Sequence, residues 1–172
     1  AVIRRISAFI ILVIFFFPAK AQIVYTDINP DTTISYGKEY DLDLNNDGIT
    51  DFMFYSNLVG SQAPCYIVNF GITALNADSI ILRGFNLNER IGDTTLWNHA
   101  TTLNNINSCR CGRNPESGGY IVSCVSYFGN NNDIYIPLNI VVNNLAYYGW
   151  VRFLESSNRA SLTIKDYAYN SA

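Results

Sequence analysis

The chain has 172 residues, of which 49% are hydrophobic, 14% aromatic and 15% charged, with a formal net charge of -3 and a sequence pI ≈ 5.0. The aromatic content excludes a disordered acidic chain, because these side chains supply the apolar area that drives folding. The acidic balance excludes a nucleic-acid binder that relies on neutralising phosphates, since such proteins are normally basic.

The first 21 residues have the pattern of a secretory signal peptide. Two arginines precede an apolar run over residues 6–17, and the segment ends with Ala-Lys-Ala at residue 21. The run is shorter than the roughly 20 residues of a membrane-spanning helix, so an uncleaved anchor is the less favoured alternative. We therefore expect a secreted or cell-surface protein that meets a membrane only through an uncleaved leader. Residues 22–172 then form one domain with 8 basic and 14 acidic residues.

Segments rich in Ile, Val, Tyr, Phe and Thr recur along the rest of the chain, and such residues fit a half-buried pleated surface. The predicted strands cover residues 22–28, 39–44, 52–56, 65–70, 79–82, 119–127, 133–142, 147–154 and 161–169. Asn- and Gly-rich turns separate several of them, and only residues 87–99 are weakly compatible with a helix. The pattern predicts an all-β fold, an antiparallel two-sheet sandwich of jelly-roll-like type.

Residues 41–52 have the spacing of a calcium-binding loop, D-x-[DN]-x-D-G-x-x-D, with glycine at the sharp turn. Ca²⁺ takes six to eight oxygen ligands, and alternating side chains in a tight loop converge on one point. The predicted ligands are Asp43, Asn45, Asp47, the backbone carbonyl of Ile49, and Asp51. The loop looks like the β-hairpin calcium loops of integrin-type and thrombospondin-type repeats.

The alternative interpretation of this loop is an Asn-Asp-Gly hairpin turn with acidic residues that add solubility. If it binds calcium, we expect a structural role, because a closed oxygen cage leaves no open position for chemistry. Asp27, Asp31 and Asp41 are possible additional metal ligands; for Asp27 and Asp31 the condition is that the first strand runs beside the hairpin.

Four cysteines follow the leader: Cys65, Cys109, Cys111 and Cys124. In an exported protein an even number favours two disulfides, and three connectivities are open. Because Cys109 and Cys111 would bridge each other only with strain, each is expected to pair with Cys65 or Cys124. Zinc is the alternative for these thiols. Residues 109–119 are predicted to form a loop stapled by these bridges.

Catalytic motifs are absent from the sequence, since His99 is the only histidine and no nucleophile motif lies near it. The protein is therefore expected not to be an enzyme, although two close carboxylates of a glycoside hydrolase or lyase would be invisible in the sequence. Trp97, Tyr147 and Tyr148 are possible ligand-facing aromatics, because flat rings stack on sugars. Trp150 is expected to pack in the core or across strands.

The stretch Tyr148-Gly-Trp-Val-Arg-Phe153, followed by Leu162-Thr-Ile-Lys-Asp-Tyr-Ala-Tyr169, resembles a C-terminal hairpin of secreted, functionally uncharacterised β-rich proteins of Bacteroidetes, planctomycetes and cyanobacteria. The segments over residues 25–31 and 41–52 also look like the start of such Bacteroidetes proteins. In that family a cell-surface sorting domain commonly follows the β domain, and the printed sequence ends at Ala172 before one. The resemblance implies export and a β-fold, and it carries over no catalytic residue.

These observations lead us to expect an exported, calcium-binding, disulfide-linked β-sandwich that acts as an extracellular or cell-surface binding and adhesion module. Extracellular polysaccharide or matrix is the expected partner, and nucleic acid is not. A purely structural domain of a larger surface protein is the first alternative, and a polysaccharide-active enzyme is the second.

Overall fold

The computed structural model describes residues 22–59, 67–80, 91, 100–103, 106–113, 115–126, 133–157 and 160–171. All helices and strands that could be assigned in these ranges are β-strands, and none is a helix. The strands are β1 (Ile23–Ser35), β2 (Glu39–Leu42), β3 (Phe52–Val59), β4 (Ile67–Ala74), β5 (Ser79–Ile80), β6 (Thr102–Leu103), β7 (Asn107–Arg113), β8 (Tyr120–Ser126), β9 (Ile134–Val142), β10 (Leu145–Glu155) and β11 (Ser161–Asn170).

The strands form two antiparallel sheets and a separate two-stranded ribbon. One sheet has the order β1-β11-β10-β9-β5, the other has the order β2-β3-β4-β6, and β7 pairs with β8. The predicted all-β, two-sheet antiparallel sandwich is therefore confirmed. The smaller sheet is largely a meander of consecutive strands. In the larger sheet β9, β10 and β11 are consecutive, whereas β1 and β5 bring distant parts of the chain into it.

Both sheets contribute their inner faces to one hydrophobic core. In β9 the residues at alternate positions from Ile134 to Ile140 are buried, as the period-two pattern predicts, and Pro137 and Asn139 between them are buried as well. The most deeply buried side chains of the core come from β1 to β4, from β5, from β9 to β11 and from the loops between them: Ile34, Leu42, Leu44, Phe52, Phe54, Phe70, Ile72, Ile80, Ile106, Ile136, Leu138, Ile140, Val151, Phe153, Leu162 and Ile164. Each such side chain contributes about 1.5–3 kcal/mol through removal of apolar surface from water.

Asparagine forms the turns that the sequence indicated. Asn143 and Asn144 have φ angles of 52° and 63°, and they join β9 to β10 directly after the Val142–Leu145 pair. Two consecutive left-handed residues define a type I′ hairpin turn, whose twist matches that of the flanking strands. The turn therefore fixes the register of β9 against β10.

Two sequence-based expectations differ from the fold, and two others lie outside the described residues. The first strand is longer than residues 22–28, since β1 continues to Ser35 through a register shift between Asp27 and Thr32 and a cis Asn29–Pro30 bond. The prediction of a loop over 109–119 is wrong at its start, because β7 runs through Arg113. The signal peptide predicted at residues 1–21 and the helix-compatible stretch over 87–99, except residue 91, lie outside the described residues.

Candidate metal centre

The aspartate-rich loop joins β2 to β3 at one end of the smaller sheet. The hairpin closes with the Leu42–Phe52 pair, and the Asp51 N–H donates to the Leu42 carbonyl at 2.9 Å. Asn46 and Gly48 have φ angles of 58° and 89°, so the loop uses two left-handed residues to turn sharply. The loop is thus a compact turn closed at its base by backbone pairing.

Three predicted ligands converge within this turn. The Asp47 N–H donates to Asp43 Oδ1 at 3.1 Å and to Asn45 Oδ1 at 3.0 Å. The Gly48 N–H donates to Asp43 Oδ2 at 2.7 Å, and Asn45 Nδ2 donates to Asp47 Oδ2 at 3.0 Å. Two acceptor oxygens that share one N–H must lie close together, so the loop gathers two carboxylates and an amide at one place.

Ile49, the residue expected to offer a backbone carbonyl, is held against the same group of side chains. Its N–H donates to Asp47 Oδ1 at 2.9 Å, while its side chain is 58% exposed. An isoleucine exposed to this degree contributes little to the core, so its place in the loop is set by its backbone.

Asp51 lies behind the loop and is buried. It is 5% exposed, and its Oδ2 accepts a hydrogen bond of 2.7 Å from the Leu44 N–H. Burial raises the pKa of Asp51 to about 6; the bond from Leu44 opposes this shift, and the negative charges of Asp78, Asp43 and Asp47 add to it. Asp51 therefore stabilises the loop through its hydrogen bond from the Leu44 N–H, while the neighbouring acids disfavour its ionised form.

Asp78 is a fourth acidic residue at this end of the molecule, and the sequence analysis missed it. It precedes β5, is 4% exposed, and accepts a hydrogen bond of 2.9 Å from the Val141 N–H at Oδ1. Its Oδ2 is buried and has no hydrogen-bond partner among the described residues. Burial raises the pKa of Asp78, with an added contribution from Asp47. No local spacing links Asp78 to the loop, since only the tertiary fold brings the β4–β5 turn near it.

The structure does not bring Asp27 to the loop. The strand β1 pairs with β11 in the larger sheet, where Asp27 lies opposite Asp166, which in turn lies opposite Arg152. Residues directly opposite share a face, so Asp27 lies on the outer face, whereas the neighbouring Tyr167 lies on the inner face.

The other two possible additional ligands lie elsewhere in the strands. Asp31 lies in the register shift of β1. Asp41 is exposed on β2, opposite Met53. The condition for Asp27 and Asp31, a first strand beside the hairpin, is therefore not met.

In the described part of the chain, no three aspartate, glutamate, histidine or cysteine side chains are grouped as a metal site. The donors that the loop gathers are instead of mixed type: the carboxylates of Asp43 and Asp47 and the amide oxygen of Asn45. Such hard oxygen donors, completed by backbone carbonyls and water, fit Ca²⁺ and do not fit softer ions that prefer nitrogen or sulfur.

The loop packs against the larger sheet through two tyrosines of β11. The Tyr167 hydroxyl donates to Asn46 Oδ1, and the Tyr169 hydroxyl donates to the Asn45 carbonyl, both at 3.3 Å. A pocket of about 210 Å³ opens beside this contact. Its lining residues come from the loop, β9, β10 and the end of β11: Asn45, Asp47, Ile140, Val142, Tyr147, Tyr169 and Ser171.

The predicted ligand-facing aromatics separate in the structure. Tyr147 lines the pocket, since it lies opposite Ile140 on the inner face. Tyr148 follows it and lies on the outer face, and Trp97 lies outside the described residues. Strand alternation places Tyr147 and Tyr148 on opposite faces, and the tertiary fold shows which of the two faces the pocket.

The outer face of the larger sheet carries an aromatic cluster beside an ion pair. Of the two places expected for Trp150, the core or a cross-strand contact, the structure shows the second. Its ring centroid lies 5.3 Å from that of Tyr135 and 6.3 Å from that of Tyr25. Arg152 binds Asp166 through two nitrogens, with Nε at 2.8 Å from Oδ1 and Nη2 on Oδ2. This arrangement resembles a buried structural pairing more than an open site, since Asp166 is 2% exposed.

The cysteine predictions fall largely on residues that the structure does not describe. Cys65 lies outside the described ranges, and for the other three the description extends only to the backbone. In the β7–β8 ribbon Cys109 lies opposite Cys124, and Cys111 lies opposite Val122. The two disulfides remain a prediction.

The fold and the loop together define an all-β sandwich with a hairpin loop whose oxygen donors suit a hard cation. No protein-family model matches the chain, no curated protein matches it, and no solved structure matches its fold. Among the described residues, no helix has the length and apolar character needed to cross a membrane.

Proposed function

We propose that this protein is an exported β-sandwich that binds Ca²⁺ in the loop over residues 43–51 and serves as an extracellular or cell-surface binding module. The observation that carries the calcium proposal is the grouping of three side chains in one turn: Asp43 and Asn45 accept from the Asp47 N–H, and the Asp47 carboxylate accepts from Asn45 Nδ2. Hydrogen bonds of this kind also stabilise a simple Asx turn, so the response to calcium decides between the two interpretations.

The charge of the loop supports the same proposal. Asp43 and Asp47 add their negative charges to that of the buried Asp51, and each of them disfavours the ionised form of that carboxyl. A divalent cation bound between them would offset this repulsion. Calcium would then act as a structural cofactor that fixes the loop against β11.

Thermal unfolding in EGTA and in calcium tests this proposal. Calcium modules outside cells bind with dissociation constants of about 10⁻⁴–10⁻³ M. At about 10 mM Ca²⁺ the ion would stabilise the protein by about 1–3 kcal/mol, which is a rise in Tm of about 3–10 °C. An Asp43→Ala variant should lose this rise, because it removes an acceptor of two loop N–H groups.

Glu39→Gln is the matched control, since it removes an exposed acid from β2 outside the loop. It should retain the calcium-dependent rise in Tm. Equal Tm values in EGTA and in calcium for the unaltered protein would contradict the calcium proposal and favour the simple hairpin turn.

Export is proposed from the leader pattern and from the resemblance of the C-terminal hairpin to secreted β-rich bacterial proteins. Mass spectrometry of protein recovered from outside the cells that produce it should give Gln22 as the first residue. Recovery of the protein only inside cells with residues 1–21 attached would contradict this part of the proposal.

Binding of extracellular polysaccharide or matrix is the leading proposal for the role of the module, and a purely structural role in a larger surface protein is the alternative. A glycan array probed with and without calcium separates them, because a structural domain would bind no glycan under either condition. A polysaccharide-active enzyme would need two carboxylates in an open groove. The two acids with raised pKa, Asp51 and Asp78, are both buried.

A further inference from the structure

The pocket beside the loop combines three kinds of surface. Ile140 and Val142 supply apolar area from β9, and Tyr147 and Tyr169 supply aromatic rings. Asn45, Asp47 and Ser171 add polar groups, and their side chains can accept or donate hydrogen bonds. Binding sites for small molecules have this composition, a mostly apolar lining with a few polar groups that fix orientation.

The pocket and the metal loop share residues. Asn45 and Asp47 line the pocket and also belong to the loop, where Asn45 Oδ1 accepts from the Asp47 N–H and Asn45 Nδ2 donates to Asp47 Oδ2. The Tyr169 hydroxyl, in the pocket wall, donates to the Asn45 carbonyl. The positions of these pocket groups therefore depend on the conformation of the loop, and an ion that orders the loop also orders the pocket.

We propose that this pocket binds a single neutral sugar residue of a glycan and that binding requires the calcium-ordered loop. This inference rests on the proposed function and names the site and the chemistry of its ligand. A sugar ring presents hydroxyls, which the carboxylate and amide of the loop bind, and an apolar C–H face, which packs on Tyr147 and the β9 side chains. A volume of about 210 Å³ holds about seven waters, so the pocket accommodates one ring rather than a chain.

Charge selects the neutral class of sugar. Asp43, Asp47 and Asp51 lie at the loop, whereas none of the described residues that line the pocket is a lysine or arginine. A bound Ca²⁺ offsets two of these three negative charges and leaves no excess of positive charge. Uronic acids and sulfated sugars are therefore expected to be repelled.

Saturation-transfer NMR with methyl glycosides of glucose, galactose, mannose and N-acetylglucosamine, and with methyl glucuronoside, tests the inference on the whole protein. We expect transfer from at least one neutral glycoside at millimolar concentration in about 10 mM Ca²⁺, and at least a tenfold weaker affinity in EGTA. Tyr147→Ala should abolish the transfer while keeping the calcium-dependent rise in Tm. Tyr148→Ala, which alters the adjacent residue on the opposite face, should retain both.

The outcomes separate this inference from the calcium proposal. A calcium-dependent Tm without transfer from any neutral glycoside would overturn the sugar site and leave the metal loop intact. Transfer of equal strength in EGTA would overturn the coupling, and binding of the glucuronoside would overturn the charge selection. Loss of transfer in Tyr148→Ala with retention in Tyr147→Ala would place the sugar on the outer face and overturn the pocket.

Discussion

Asp51 shows how one buried carboxyl links the loop to pH. Its folded-state pKa of about 6 lies above the ordinary value of 3.8, so the folded protein holds this proton more tightly than the unfolded chain. At low pH the carboxyl is protonated in both states and does not lower the free energy of unfolding. As the pH rises from 3.8 to 6, ionisation of the unfolded chain lowers the free energy of unfolding progressively. The full cost, about 3 kcal/mol, then persists at neutral pH.

We expect this cost to be visible in calcium-free urea unfolding of the unaltered protein and of Asp51→Asn. The free energy of unfolding of the unaltered protein, relative to that of the variant, should fall by up to about 3 kcal/mol between pH 3.8 and pH 6. The comparison with the variant cancels the contributions of the other acids. A relative stability that rises over this interval would mean that the Asp51 pKa is lowered in the folded protein.

Gly149 permits a close approach of three parts of the chain. A Cβ atom there would lie 2.5 Å from the Ala168 carbonyl oxygen and 3.1 Å from Leu44 Cδ2. Since a backbone carbonyl in a sheet cannot move aside, Gly149→Ala should destabilise the protein by about 1–3 kcal/mol in urea unfolding. Gly119→Ala is the control, because its nearest contact is Ser117 Oγ at 3.4 Å, and its effect should stay within about 0.5 kcal/mol.

At the residue scale the sequence indicates the tight turn over residues 43–51 because its information is local, and calcium binding there stays a prediction. Asp43, Asn45 and Asp47 alternate within one turn, and the turn itself brings them together. Asp78 is different, since its proximity to the loop depends on the packing of β5 against β9. Tertiary neighbours of this kind leave no trace in a single sequence.

At the scale of elements, β9 shows which strands a sequence predicts well. The strand β9 alternates apolar and polar residues because one side faces the core, and the sequence predicts its bounds within one residue. The strand β7 was missed because its sequence, Asn-Ser-Cys-Arg-Cys-Gly-Arg, contains no such alternation. β7 is a strand because its backbone pairs with that of β8, and backbone hydrogen bonds leave no recognisable pattern of side chains in the sequence.

The hairpin of β10 and β11 depends on the pairing of Arg152 with Asp166. Asp166 also accepts a hydrogen bond of 2.8 Å from the Tyr25 hydroxyl, which raises the pKa of that tyrosine and joins β1 to the pair. Arg152→Met would leave a buried carboxylate without its cation. We expect a loss of about 3 kcal/mol in the free energy of unfolding.

Lys165→Met is the matched control for this variant. Lys165 pairs with the partly exposed Asp133 at 3.1 Å, and its loss should cost less than about 1 kcal/mol. Equal effects of the two variants would show that the Arg152 pair contributes no more than a surface ion pair does.

At the scale of the whole molecule, the loop over residues 43–51 follows a strand of the smaller sheet and is held by hydrogen bonds from the larger sheet. The loop follows β2 of the smaller sheet, and Tyr167 and Tyr169 of the larger sheet hold it through hydrogen bonds. An ion in the loop would thus fasten the two layers of the sandwich together.

Tyr169→Phe tests this connection, because it keeps the ring and removes the hydroxyl that binds the Asn45 carbonyl. If the ion and this hydrogen bond order the loop together, loss of the bond, about 1 kcal/mol, should weaken calcium affinity by up to about fivefold in isothermal titration. Tyr135→Phe, on the outer face, should leave the affinity unchanged. An unaltered affinity in Tyr169→Phe would mean that the loop binds its ion independently of the larger sheet.

The pairing of β1 with β11 has a consequence for how the chain reaches its fold. Ile23 lies opposite Asn170, and the Ser171 N–H donates to the Gln22 carbonyl at 2.9 Å, so the larger sheet joins residues almost 150 positions apart. During synthesis the backbone N–H and C=O groups of β1 stay unpaired until β11 has left the ribosome. Pairing across such a separation is slow to form, and the unfinished sheet exposes a strand edge to other chains. We therefore expect a nascent chain arrested before residue 161 to aggregate and to bind chaperones. Once the last strand is released, the chain should become resistant to protease.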